Sequence, residues 1–137
     1  GTVDIYFYRH LAGIRPLKPG FREFAIKPDP VGPERVEASV RGAAGRVSVK
    51  IYRNPQGYGV EVHVPVSCTA LIYVPTRGLC NPVVLERGKV VWRNGKLVAR
   101  VKGVLDAWAE EGYIVFKVGS GHYSFRAASE PCAEPTC

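Results

Sequence analysis

Between Arg46 and Val64 the chain alternates with a period of two residues, and this pattern narrows the fold more than any other stretch. Val47, Val49 and Ile51 point one way and Arg46, Ser48 and Lys50 the other, as a strand with one buried and one wet face requires. Asn54-Pro55-Gln56-Gly57 reads as a turn, after which Tyr58, Val60, Val62 and Val64 return with Glu61 and His63 on the wet side. A hairpin is expected. Ala70–Val74 forms another strand, stopped by Pro75. Val83–Glu86, Lys89–Trp92 and Lys96–Val101 follow, separated by Arg87-Gly88 and Asn94-Gly95; Asn-Gly suits the type I′ hairpin turn, whose two central residues both need φ > 0. Residues 104–111, VLDAWAEE, suggest one or two helical turns with Leu105 and Trp108 on one side. Gly119-Ser120-Gly121 joins a last pair, Tyr113–Val118 and His122–Arg126. About nine or ten short strands, with Gly/Pro turns and no alternating helices, predict an all-β fold, an antiparallel β-sandwich.

The N-terminal residues break this rhythm. Residues 2–12 carry Val3, Ile5, Tyr6, Phe7, Tyr8 and Leu11, apolar on nearly every side of a helix, so one short N-terminal helix precedes the sandwich and needs a partner around most of its circumference. The alternative is a strand, since Ile5, Phe7 and Tyr8 favour β structure. From Leu11 to Pro30 the chain passes from one architecture to the other. Gly13 can end a helix with a left-handed cap, Pro16 and Pro19 turn Arg15 and Lys18 away from helical dihedrals, and Gly20 frees the chain to enter Phe21 as a strand. The expected organisation is a terminal helix over residues 1–14, a β-sandwich over 15–127 and a Cys/Pro-containing tail over 128–137.

The run YRHLAGIRPLKPGFREFAIKP resembles the passage from the last helix of the catalytic domain into the C-terminal β-domain of bacterial-type α-L-rhamnosidases, glycoside hydrolase family 78. Gly45-Arg46-Val47-Ser48-Val49, then Val64-Pro65 leading to Cys68-Thr69-Ala70 and Val74-Pro75, then Val118-Gly119-Ser120-Gly121 with Tyr123 and Phe125, match that family's pattern in order and distance. The resemblance covers roughly residues 3–126. It implies that this chain is the non-catalytic end of a rhamnosidase, because the family's inverting acid and base lie on a preceding (α/α)6 barrel. It also implies an interface with that barrel through Val3, Ile5, Tyr6, Phe7, Tyr8 and Leu11. The α-helical catalytic domain, in the parent chain or as a separate subunit, is the expected partner, and a rhamnosylated glycan is reached only through it. Ile51 stands where the family usually carries Trp, and Ala43-Ala44 where it carries Pro-Tyr, which implies the loss of aromatic surface for a sugar.

The residues themselves agree on the missing chemistry. Glycoside hydrolysis needs two carboxyl groups flanking the scissile bond, yet none of the 12 acidic residues, Glu23, Glu61, Glu86, Glu110 and Glu111 among them, has a recognisable catalytic setting. Solvated roles are expected. His63 and His122 have no second ligand or nucleophile at a telling spacing and read as structural. His10 is the one weak candidate for contact with substrate, at the barrel's sugar-binding end, against a helix-capping or packing role. No catalytic residue, metal or cofactor is expected in this chain.

A formal charge of +7 raises the question of an anionic partner, but Lys and Arg are scattered singly from Arg9 to Arg126. Nucleic-acid binders concentrate them, so no nucleic acid is expected, and no apolar run approaches the ~20 residues that span a bilayer. Cys68, Cys80, Cys132 and Cys137 lack the tight pairs of a metal site. Disulfides are the expectation, in a secreted protein or inside a hyperthermophile; a Cys68–Cys80 bridge would close a loop of about a dozen residues and contribute ~3 kcal/mol. The competing reading of the whole chain is a stand-alone carbohydrate-binding module stacking sugars on Tyr6, Tyr58, Tyr73, Trp92 or Trp108, although Trp92 keeps phase with Val90 and reads as core.

Overall fold

The structure, a computed structural model, describes residues 12–18, 22–42 and 44–129. The described residues form twelve strands: Ile14–Pro16 (β1), Glu23–Ile26 (β2), Arg35–Gly42 (β3), Gly45–Asn54 (β4), Gly57–Val64 (β5), Thr69–Pro75 (β6), Pro82–Glu86 (β7), Lys89–Arg93 (β8), Lys96–Leu97 (β9), Val104–Glu110 (β10), Tyr113–Val118 (β11) and Gly121–Ser129 (β12). They build two sheets, one of five strands in the order β1-β2-β6-β11-β10 and one of seven in the order β3-β4-β5-β12-β7-β8-β9. All pairings are antiparallel except β2 with β6. That parallel pair follows from topology: after β2 the chain crosses to the other sheet for β3, β4 and β5 before returning, and a parallel neighbour needs such a long connection.

The period-two pattern decides which faces meet. Val47, Val49, Ile51, Val60, Val62 and Val64 from the seven-stranded sheet and Phe24, Ile26, Ala70, Ile72, Val74, Phe116 and Val118 from the five-stranded sheet belong to one buried cluster. Phe116 of β11 stacks on Phe125 of β12 with ring centroids 4.4 Å apart. Trp92 of β8 meets the same Phe116 edge-on at 6.4 Å. Three aromatic rings from both sheets thus lock the core by offset and edge contacts. Tyr123 is buried beside Phe125 and its hydroxyl donates to the carbonyls of Gly119 and Ser120, at 2.9 and 3.2 Å, tying down the β11–β12 turn.

Turn chemistry matches the sequence where it is most specific. Asn94 and Gly95 have φ of 54° and 78°, and Arg87 and Gly88 have 52° and 85°, so both hairpins carry two successive left-handed residues. Asn54 Oδ1 accepts from the amides of Gln56 and Gly57 at 2.9 and 3.0 Å, closing the β4–β5 turn.

Several expectations need correction. Residues 104–111 contain strand β10 instead of helical turns: it is an edge strand paired with β11 through Ala107↔Phe116 and Trp108↔Val115, with an irregularity between Val104 and Asp106. Pairing with an open sheet edge outweighs the weak local helix preference. Among the described residues the strand count is twelve, above the nine or ten expected: β1 is only three residues long, β10 reads locally as helical turns, and β3 is missing from the expected set although Val36, Ala38 and Val40 alternate with Arg35, Glu37 and Ser39. Strand β9 covers only Lys96–Leu97, and β12 continues to Ser129, two residues past the expected domain limit. Cys68 and Cys80 are not joined: the first is buried and the second exposed. The predicted N-terminal helix with its interface residues Val3, Ile5, Tyr6, Phe7, Tyr8 and Leu11, together with His10, Cys132 and Cys137, lies outside the described residues.

A candidate ligand groove on the seven-stranded sheet

Strand register converts the outer face of the seven-stranded sheet into ordered rows. Arg35 lies opposite Tyr52, Tyr52 opposite Gly59, Gly59 opposite Arg126 and Arg126 opposite Leu85. The next row runs Glu37, Lys50, Glu61 and Ser124, and a third runs Ser39, Ser48, His63 and His122. Each of these residues occupies the wet phase of its strand, so the row order is fixed by the same alternation that buries the valines.

Because Gly59 contributes no side chain, the first row has a gap at its centre. An open trough of about 460 Å³ runs over it, lined by Tyr52, Glu61, Ser124, Arg126 and Leu85. A second hollow of about 340 Å³ adjoins it, shares Glu61 and Ser124, and is lined further by Lys50, His63, Arg87 and His122. Tyr52 leans on the Gly59 backbone while Arg35 sits over its ring with the guanidinium carbon 5.4 Å from the centroid. Burial, followed by a hydrogen bond to the Glu61 carboxylate, pushes the Tyr52 phenol above its ordinary value. Removing the charge with Glu61→Gln should therefore lower the Tyr52 midpoint toward the usual ~10, which an ultraviolet pH titration against a Tyr52→Phe reference reads directly; an unchanged midpoint would refute that contact.

Charge is more organised here than in the linear sequence. Lys50 and Arg35 both bridge to Glu37, at 3.8 and 3.6 Å, which leaves Glu61 and Arg126 as the charged groups facing the gap. Arg41 stands directly opposite Arg46 at the far end of β3 and β4. The expectation that every carboxylate is solvated fails at Glu86, which is 7% exposed: its Oε2 accepts from the Ser124 amide at 3.0 Å and lies 3.4 Å from Arg87 Nε.

His63 and His122 are brought together, in cross-strand register with ring centroids 4.3 Å apart. Among the described residues no group of three or more His, Cys, Asp or Glu side chains is arranged to hold a metal. Of the proposed stacking aromatics, Trp92 is 4% exposed in the core, and the Tyr58 hydroxyl is tied to the Arg77 carbonyl at 2.8 Å. Tyr73 and Trp108 share the outer face of the five-stranded sheet on either side of Val115, with Tyr113 edge-on to Tyr73 at 5.6 Å and Lys27 Nζ over both tyrosine rings. Tyr6 lies outside the described residues. Ile51 is fully buried, so an aromatic residue in its place would fill core volume and offer nothing to a sugar. Tyr52, one residue on, is the aromatic the sequence reading missed; its outward phase next to Ile51 was the available signal.

Comparison with known proteins places the chain itself. Residues 13–81 match the family described as the bacterial α-L-rhamnosidase C-terminal domain. An α-L-rhamnosidase of Streptomyces avermitilis is 29% identical over 126 residues, which is 91% of this chain and 11% of that protein. A solved α-L-rhamnosidase from Dictyoglumus thermophilum superposes with a TM-score of 0.76 at 29% identity, over 93% of this chain and 13% of that one. The Streptomyces avermitilis enzyme complexed with L-rhamnose gives 0.67 at 26% identity, over 88% of this chain and 10% of that one. The chain thus spans about a tenth of the length of these relatives.

Proposed function

Since the chain belongs to the bacterial α-L-rhamnosidase C-terminal domain family, we propose that it is the non-catalytic β-sandwich closing the C-terminal end of an α-L-rhamnosidase, where it braces a helical catalytic domain. The observation that carries this reading is the match beginning at the chain's entry into the sheet, in a segment only 11–13% as long as the first two relatives. Hydrolysis of terminal α-L-rhamnose belongs to the missing part. Gly13, with φ of 70°, leads straight into β1 at the edge of the five-stranded sheet, so a preceding domain is held close to that edge, and the apolar residues 3–11 supply its contact.

The test is made on the parent enzyme, identified by reading the coding region upstream of Gly1. Purified alone, the 137-residue chain is expected not to hydrolyse nitrophenyl α-L-rhamnoside. Deleting the segment from the parent should lower the melting temperature and reduce activity, and adding the segment back should restore part of both. A parent lacking the segment that keeps its full activity and melting temperature would sink the bracing role.

A further inference from the structure

We propose that the trough between Tyr52 and Arg126 binds a neutral saccharide through a pair of neighbouring hydroxyl groups. Gly59 carries the case. It lies in the middle of β5 and is absent from the glycines with left-handed φ, so backbone conformation does not require it. Glycine in a strand interior weakens the strand and marks close approach of another group. Here Tyr52 occupies one side of the gap, with Cδ2 3.3 Å from where a Cβ would sit; the other side is the open trough.

The lining selects the ligand class. Glu61 only accepts hydrogen bonds when ionised, Arg126 only donates, and the Ser124 hydroxyl does both. A vicinal diol presents matching donors and acceptors at short spacing, while Tyr52 and Leu85 offer apolar walls to ring C–H groups. A phosphate or nucleic-acid strand would meet the Glu61 carboxylate in the centre of the groove. The volume of about 460 Å³ falls within the usual range for small-molecule sites, roughly 300–1,000 Å³. The site is independent of the bracing role, since it lies on the opposite sheet from β1.

The experiment is a heteronuclear NMR titration of the isotope-labelled 137-residue chain with L-rhamnose, with a rhamnosyl disaccharide and with inorganic phosphate. Saturable shifts centred on residues 52, 59, 61, 124 and 126 are expected for a saccharide, with a Kd in about the millimolar range. Tyr52→Ala should weaken binding by about tenfold. Gly59→Val, which fills the gap, should abolish it, and Arg126→Met, at an exposed position outside the core, should do the same without risk to the fold. Shifts that fail to saturate with either sugar, that persist in both Gly59→Val and Arg126→Met, or that phosphate reproduces, would overturn the proposal.

Discussion

Replacing Phe116 by Ala should cost about 3–5 kcal/mol of folding stability, the usual range for a buried phenylalanine. Its ring has no exposed surface, stacks on Phe125 of the opposite sheet at 4.4 Å and receives the edge of Trp92 at 6.4 Å. Truncation removes the transfer free energy of the ring and leaves a void that two hydrogen-bonded sheets cannot close by local shifts. Domains of this size are stable by only about 5–15 kcal/mol, so the variant should lose a large share of its stability in a urea titration. Leu105→Ala is the control: Leu105 is 61% exposed on edge strand β10, and surface changes of this kind usually stay within about 0.5 kcal/mol. Equal costs for the two variants would show that the sheets do not share the core described here.

The contrast between these residues also shows what the linear sequence can disclose. Phe125 keeps the phase of Tyr123 and Ala127 in a strand entered from a Gly turn, so its burial follows from period, whereas Phe116 stands in the apolar run Tyr113–Phe116, where period chooses no face and the stacking on Phe125 does. The turns at Arg87-Gly88 and Asn94-Gly95 were legible, because a left-handed pair has few sequence solutions. Strand β10 was not legible, since Leu105 and Trp108 are spaced as well for a helix as for an edge strand and only pairing with β11 decides. The groove was hidden more deeply. Tyr52 and Gly59 face each other across the expected β4–β5 hairpin and Arg35 joins them across the short β3–β4 connection, but Arg126 reaches them only through the register of β12 on β5, and no local signal fixes a pairing between strands so distant in sequence. His63 and His122 were set aside for want of a partner, and they turned out to be each other's.

Substituting Gly13 by Ala should be the most damaging change outside the core, at about 3 kcal/mol or more. Two effects combine there. A non-glycine residue held in a left-handed conformation costs about 1–2 kcal/mol, and Gly13 has φ of 70°. In addition, a Cβ would lie on the Lys27 carbonyl oxygen, so the backbone must move and the Lys27 amide loses its 3.0 Å bond to the Gly13 carbonyl; a lost hydrogen bond costs about 0.5–1.5 kcal/mol, and the forced shift of β1 against β2 adds to it. Gly78→Ala separates the two effects, because Gly78 has φ of 83° but nothing within 4 Å of its would-be Cβ. It should show the backbone cost alone. The excess at Gly13 is expected to appear locally as well, as faster hydrogen exchange in the Ile14↔Ile26 and Pro16↔Phe24 region of the β1–β2 pair. Equal destabilisation by Gly13→Ala and Gly78→Ala would mean that the chain enters the sheet without the close approach to Lys27. If the excess is found, the point where this domain joins whatever precedes it is rigid by construction, since the glycine that permits the turn is clamped by the strand beside it. The bracing role proposed above would need such an entry, because a brace must transmit position and not merely tether.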